Sequence, residues 1–390
     1  MSAQPQSATV LLFPAPQSQP VRVAVICDFA EENWPSMDLV GDMLFEQLSR
    51  NDAVKTQRIR PGMMFAGVHP GRSIRLLGRF VQYPRALRQI ASKFDLFHIV
   101  DHSYAHLVHE LPPGRAIVTC HDLDAFNCLL DPQRERRSFP FRAMTRRILS
   151  GLQAAAHVTC DTAATRDSIL GHQLLPLERL TVVHNGVHPE LSPNADPFAD
   201  RELAAKLGRE PGPCPELLHV GSTIPRKRID VLLRAFAEVR KQAPSCRLIR
   251  VGTPFTPQQE SLAAELGIRQ HIDCLERLDT RLLASCYRRA PVVLQPSESE
   301  GFGLPVIEAL ACGAAVIASD IPPLREIGGD AVDFCPVGDV EAWVDKVLNV
   351  MSCGDQKSAR RSIALQQASR FVWTSYANEM LAIYRKVLSA

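Results

Sequence analysis

Two glutamates with seven residues between them, Glu300 and Glu308, lie in the run Pro296-Ser297-Glu298-Ser299-Glu300-Gly301-Phe302-Gly303-Leu304-Pro305-Val306-Ile307-Glu308-Ala309-Leu310-Ala311-Cys312-Gly313. An apolar strand signal at 292–295 precedes it. Gly301 and Gly303 allow close backbone approach, Pro305 suits the first turn of a helix, and Gly313 stops one. The pattern reads as strand, glycine loop and helix N-terminus. Free N–H groups and the positive end of the helix dipole at 303–306 favour a diphosphate or the hydroxyl oxygens of a sugar. Glu300 in the loop and Glu308 about one turn into the helix can face one ligand from two heights. A carboxylate accepts two hydroxyl hydrogen bonds at once, which suits a ribose or hexose diol. The same spacing also fits two carboxylates that only complement the helix dipole.

Such a loop needs a sheet to carry it. At 390 residues the chain is long for one hydrophobic core and suits two. Strand signals at 21–27, 54–59, 96–100, 116–120, 157–160 and 180–184 alternate with helical stretches. The first helix has Ser36 as cap and apolar positions Leu39, Val40, Met43, Leu44 and Leu48, and others fall at 73–92 and 139–155. A Pro/Asp/Asn-rich stretch at 188–197 interrupts the pattern. It restarts with strands at 217–221, 247–251, 292–295 and 315–318, a helix face on Ile229, Leu232, Leu233, Phe236 and Val239, and helices at 257–266 and 280–289. The expectation is an α/β chain of two Rossmann-like, doubly wound parallel-sheet domains facing a cleft. Residues 1–19 read as a disordered tail, 20–187 as the first domain, 188–200 as a linker, 201–370 as the second domain and 371–390 as a terminal helical segment.

The composition, 46% hydrophobic and 22% charged, is globular, and no apolar run approaches the ~20 residues of a spanning helix. With no secretion signal at the N-terminus, the expected place is the cytoplasm. Eleven cysteines without a CxxC pair argue for reduced core thiols rather than disulfides or a metal site. Net charge is +2 but uneven. Lys55, Arg58, Arg60, Arg72, Arg75, Arg79, Arg85, Arg88 and Lys93 follow one another with no acidic residue, and Arg134, Arg136, Arg137, Arg142, Arg146 and Arg147 come after. Two readings stand: a solvated face, or contact with an anionic acceptor or the anionic cytoplasmic face of a membrane. Phe80, Tyr83, Phe139 and Phe141 look like packing positions, so nucleic acid is not an expected partner.

Glu300 and Glu308 in their EGFGLP…EALACG context closely resemble the paired-glutamate motif of the retaining glycosyltransferases of the GT-B fold, the group 1 or family 4 set. Val316-Ile317-Ala318-Ser319-Asp320-Ile321-Pro322, Arg325-Glu326, Gly328-Gly329-Asp330-Ala331 and Pro336-Val337-Gly338-Asp339 look like the family's continuation. His219-Val220-Gly221-Ser222-Thr223-Ile224-Pro225-Arg226-Lys227-Arg228 resembles its strand-loop-helix that grips the donor diphosphate, and His184-Asn185-Gly186-Val187 the motif leading into the linker. The similarity covers most of residues 95–390.

The resemblance implies a nucleotide-sugar donor bound by the second domain, and a glycan or lipid-linked acceptor on the first. It implies that Glu308 holds the ribose hydroxyls, Glu300 a donor-sugar hydroxyl, and the backbone of Gly301, Phe302, Gly303 and Leu304 the sugar. Ser222 and Thr223 belong to the diphosphate loop; Ser222 stands where many relatives carry arginine, which leaves Arg226 as the substitute. Arg226 and Lys227 would neutralise the departing diphosphate, which is sound chemistry for two fixed cations in a water-poor cleft without a metal or cofactor. Thr119-Cys120-His121-Asp122-Leu123 resembles the family's HD segment. That places His121 near the reacting centre, with Asp122 orienting it or capping the next turn. The segment Phe371-Val372-Trp373 onward looks like the terminal helix that crosses back to the first domain.

Asp122-Leu123-Asp124 also spells the metal-binding Asp-x-Asp of another glycosyltransferase architecture, but the duplicated pattern and linker argue against that single-domain fold. The loop after the first strand, 28–38, lacks the glycine pair common in relatives; Trp34 there either stacks on a sugar or anchors the loop. An NAD-dependent oxidoreductase is the reading from another class, and no G-x-G-x-x-G follows the first strand. A non-catalytic nucleotide-sugar-binding protein of the same fold is the third, against which Glu300, Glu308, Arg226, Lys227 and His121 stand intact.

Overall fold

The computed structural model describes residues 19–64, 71–133, 135–212, 214–276, 278–352 and 357–390. Residues 1–18, most of the expected tail, lie outside them. Short strands of β-branched and apolar residues form two sheets, every pairing parallel. The first holds β1 (Val21–Ile26), β2 (Val54–Ile59), β3 (Leu96–Ile99), β4 (Ala116–Cys120), β5 (His157–Cys160) and β6 (Leu180–Val182), in the order β2-β1-β3-β4-β5-β6. The second holds β7 (Glu216–Val220), β8 (Arg247–Val251), β9 (Ile272–Leu275), β10 (Val292–Gln295), β11 (Ala315–Ser319) and β12 (Val332–Cys335), in the order β12-β11-β10-β7-β8-β9. β3, β4, β5 and β10 are buried at every position, as strands covered on both faces must be.

Both orders reverse direction at one place, between β1 and β3 in the first sheet and between β7 and β10 in the second. Ligands of open parallel sheets bind beyond the carboxyl ends of strands at such a reversal, because the flanking crossovers leave in opposite directions and open a crevice. The loops at that place in the second sheet are 221–228 and 296–303, those singled out in the sequence.

The helix Trp373–Ser389 returns to the first sheet, where Trp373, Tyr376, Met380 and Tyr384 pack with Val23, Val25 and Leu44. Two buried polar contacts pin it: the Tyr384 hydroxyl lies 2.6 Å from His98 Nδ1, and His98 Nε2 lies 2.7 Å from Thr119 Oγ1. No described helix is long and apolar enough to cross a membrane.

The chain departs from the sequence reading in identifiable ways. The helix expected at 73–92 is three pieces, Arg72–Leu77, a wider π-type segment Gly78–Gln82 and Tyr83–Ile90. The first helix begins at Pro35, with no side-chain cap, so Ser36 is inside it. A helix Pro197–Leu207, capped by Asp196 on the N–H groups of Phe198 and Ala199, begins within the stretch expected as linker. Strands β9 and β12 escaped notice because Asp273 and Asp333 break their apolar runs.

Gly186 sits where the linker meets the returning helix: a Cβ there would lie 2.4 Å from the Trp373 nitrogen and 2.7 Å from its ring, and Val187 N donates to Phe371 O. Gly186→Ala is expected to cost about 1–3 kcal/mol through overpacking, read as a lowered thermal midpoint; an unchanged midpoint would show that this junction yields freely.

Candidate active site

β10 ends in Gln295, and the loop after it turns Glu300 inward. Oε1 of Glu300 accepts from Lys227 Nζ (2.6 Å), Gln295 Nε2 (2.6 Å) and Ser297 Oγ (2.7 Å), while Oε2 accepts from Arg226 Nη1 (3.1 Å). Burial alone would favour the protonated acid, but Lys227 and Arg226 outweigh it and hold the pKa at about 2. Glu300 is therefore a buried, ionised carboxylate, and the expected sugar contact falls to Oε2, which has one protein donor.

Glu308 has the opposite surroundings. It lies in the helix Leu304–Ala311, buried, and among the described residues its one polar side-chain partner is the Tyr287 hydroxyl, donating to Oε2 at 2.7 Å. Burial lifts its pKa to about 7, the tyrosine hydrogen bond opposing only weakly. Gly303 supplies the left-handed turn into this helix at φ 101°, and its missing Cβ leaves room for Leu324, 2.5 Å from where that Cβ would be. The expected cradle of N–H groups at 303–306 is narrower than anticipated, since Pro305 has none and Val306 N donates to Gly303 O. Leu304 opens the helix, and Phe302 turns away to pack with the buried Phe371 and the exposed ring of His184.

Arg226 reaches across the cleft. Besides Glu300 it donates to Ser299 O (2.7 Å) and lies 3.3 Å from Asp124 and 3.8 Å from Asp122 of the first domain. Asp122 and Asp124, the Asp-x-Asp pair, thus face a guanidinium. Asp122 Oδ1 also accepts from Asp124 N, capping the following turn as expected.

The other role considered for Asp122, orienting His121, belongs to Asp161, 2.5 Å from His121 Nδ1. His121 Nε2 donates to Val100 O at 2.7 Å. Burial opposes the charge on His121, but Asp161 and Asp101 prevail and raise its pKa to about 10. With both nitrogens engaged and the ring charged, its side chain is held as a fixed cation. What meets the second domain is its carbonyl: a Cβ on Gly301 would lie 2.1 Å from His121 O. Thr162 Oγ1 donates to Gly301 O at 2.9 Å, and Glu326 caps the Ala163 and Ala164 N–H groups while holding His184 at 2.8 Å.

Thr223 is fixed by Thr253, whose Oγ1 lies 3.1 Å from both its nitrogen and its hydroxyl; Ser222 precedes it. Part of the basic run of the first half is neutralised in space: Arg58 pairs with Asp42, Arg60 with Asp38, Arg79 with Glu32, and Arg88 and Arg147 with Glu110. An anionic surface or acceptor thus gains no support from those arginines. Trp34 is half-exposed at the end of its loop.

Residues 200–367 match the family described as Glycosyl transferases group 1, and residues 47–191 match Glycosyltransferase Family 4. The D-inositol 3-phosphate glycosyltransferase of Saccharomonospora viridis is 30% identical over 291 residues, 66% of this chain and 67% of that protein. The chain belongs to the group 1, family 4 glycosyl transferases. The enzyme of the same name from Segniliparus rotundus is 32% identical over 218 residues, 54% of this chain, so the chain spans about half (48%) of that relative's length. Two solved structures share the GT-B fold. Sucrose-phosphate synthase from Thermosynechococcus elongatus has a TM-score of 0.75 at 20% identity over 95% of this chain and 99% of that one. Anabaena HepE in complex with UDP and glucose has 0.74 at 15% over 94% and 100%.

Within this family 4 glycosyl transferase, Tyr287, Gln295, Ser297, Asp161 and Glu326 complete the site without having been singled out in the sequence. Gln295, a polar end to an apolar strand, carried a signal; Tyr287 and Asp161 looked like ordinary helix and strand-end residues.

Glu308 stays protonated to about pH 7 in the fold, whereas an exposed glutamate ionises near about 4.3. Between those values the folded chain binds more protons than the unfolded one, so this residue's contribution to stability falls as pH rises through the window. Glu308→Gln should therefore melt above wild type at about pH 8 without nucleotide and together with it at about pH 4. Equal midpoints at both pH values would show that Glu308 carries no buried-charge cost.

Proposed function

We propose that this chain moves a sugar from a nucleoside-diphosphate sugar to an acceptor hydroxyl with retention of configuration. The observation that carries the reading is the grouping of Glu300, Lys227, Arg226 and Glu308 beside the β7/β10 reversal, facing Asp122 and Asp124 across the cleft. The Glu308 carboxylate accepts the ribose diol, and Glu300 Oε2 accepts a hydroxyl of the sugar. Arg226 and Lys227 exchange part of their hold on Glu300 for the diphosphate, supplying the positive charge without a metal or other cofactor. The acceptor oxygen bonds to the anomeric carbon as the carbon–diphosphate bond breaks on the same face, and a diphosphate oxygen takes the hydroxyl proton. No protein nucleophile is used. Two cations fixed in a site that excludes water stabilise the leaving group more in the transition state than before it.

The test is nucleoside diphosphate release from UDP-, GDP- and ADP-sugars with a set of acceptors that includes D-inositol 3-phosphate, a compound chosen because the matched relatives are named for it. Lys227→Ala should lower kcat/KM on the order of 10²–10³-fold, the scale of losing one fixed electrostatic group. Glu308→Ala should chiefly raise the donor KM. Wild-type release from either variant contradicts the assignment.

A further inference from the structure

Arg250, on β8, is wholly buried. Its guanidinium donates to Thr253 O and, at 3.0 Å, to Gly221 O, and its carbon lies 5.1 Å from the Phe255 ring centre; among the described residues its Nε has no hydrogen-bond partner and it enters no ion pair, Glu276 acting on it only from a distance. Arg289, whose side chain is nearly buried, shows the ordinary arrangement, with Glu216 at 2.5 Å and 3.1 Å. A buried cation with no carboxylate in contact is costly.

The surroundings of Arg250 are those of the loop after β7. In the parallel register Arg250 stands opposite His219, itself wholly buried with neither ring nitrogen bonded. Burial, then the charges of Arg250 and Lys227, keep that imidazole neutral to about pH 3. The Gly221 carbonyl that Arg250 holds has nowhere else to go, since a Cβ on Gly252 would lie 1.9 Å from it. Thr223 O is likewise drawn inward by Gln259 Nε2 at 3.2 Å. With the carbonyls of 221 and 223 committed to the protein, the negative ends of these peptides are turned from the cleft. Gly221 N and Thr223 N have protein acceptors; among the described residues the Ser222 N–H has none.

We propose that Arg250 is a positioning residue for the donor diphosphate: it fixes the Gly221–Thr223 turn by holding Gly221 O and the neighbouring Thr253 O, keeps positive potential beneath it, and the bound diphosphate supplies a closer counter-charge than the protein does. The residue touches no substrate; it acts through Gly221 and Thr253. In a low-dielectric interior a cation with no carboxylate in contact is felt across the turn that covers it. The inference rests on the donor reading given above and deepens it.

The decisive comparison is affinity for UDP, GDP and ADP against UMP, GMP and AMP, by titration calorimetry on wild type and Arg250→Met. For the base that binds, the ratio of diphosphate to monophosphate affinity should fall about tenfold or more in the variant, the scale of a charge-assisted interaction lost. An unchanged ratio overturns the proposal, as does an equal loss of both affinities with a lowered midpoint, which is the mark of a purely structural arginine. If Arg250→Met does not fold, Arg250→Gln, whose amide still donates to Gly221 O, carries the same comparison. Wild-type protein that binds none of the six nucleotides overturns the donor reading itself, whereas wild-type binding with an unaltered variant overturns this inference alone.

Discussion

Glu300 is an ionised carboxylate placed where little water reaches it, and the surrounding loops are arranged by the need to surround that charge. An isolated buried carboxylate would take up a proton; this one stays charged because four donors converge on it from β10, from the loop after it and from the loop after β7. The two loops are thereby locked to each other across the reversal of strand order. Arg226 extends the lock to Asp122 and Asp124, so the charge at the end of one sheet also sets how the opposing domain approaches.

The pairing of Glu300 with Glu308 shows how one residue type serves two purposes in one cleft. Both are buried; one is crowded by cations and ionises readily, and the other, with a phenol as polar partner, resists ionisation. A group of the first kind keeps its charge whatever binds. The second takes up charge more readily when hydrogen-bond donors such as a diol arrive, so ligand and proton are linked at Glu308 and unlinked at Glu300. The mismatch is a cost to the empty protein that function repays, the usual relation between stability and an active site.

Much of this was legible in the chain. Alternating apolar runs gave both sheets and most strands, because a parallel sheet covered on both faces needs uninterrupted apolar residues and such runs stand out. The glycine loop, the helix after it and both glutamates could be read from residue types alone. What could not be read depended on contacts between distant segments. Nothing near His121 announces Asp161 as its partner, so a histidine open to proton exchange and one locked as a cation look alike in sequence. The acid-free basic run at 55–93 looked like a charged surface until Asp38, Asp42, Glu32 and Glu110 folded onto it. β9 and β12 were hidden for a simpler reason: edge strands tolerate the aspartates that break their pattern.

The returning helix Trp373–Ser389 has a consequence for how the chain comes into being. It covers Val23, Val25 and Leu44, residues made at the other end of synthesis. As the polypeptide leaves the ribosome, the first domain can assemble its strands but must keep one apolar face of its sheet open while the whole second domain is made. That nascent surface is the kind that chaperones hold and that aggregation exploits. Completion of the first domain thus waits on translation of the second, which couples the appearance of a finished cleft to the arrival of the segment that closes it.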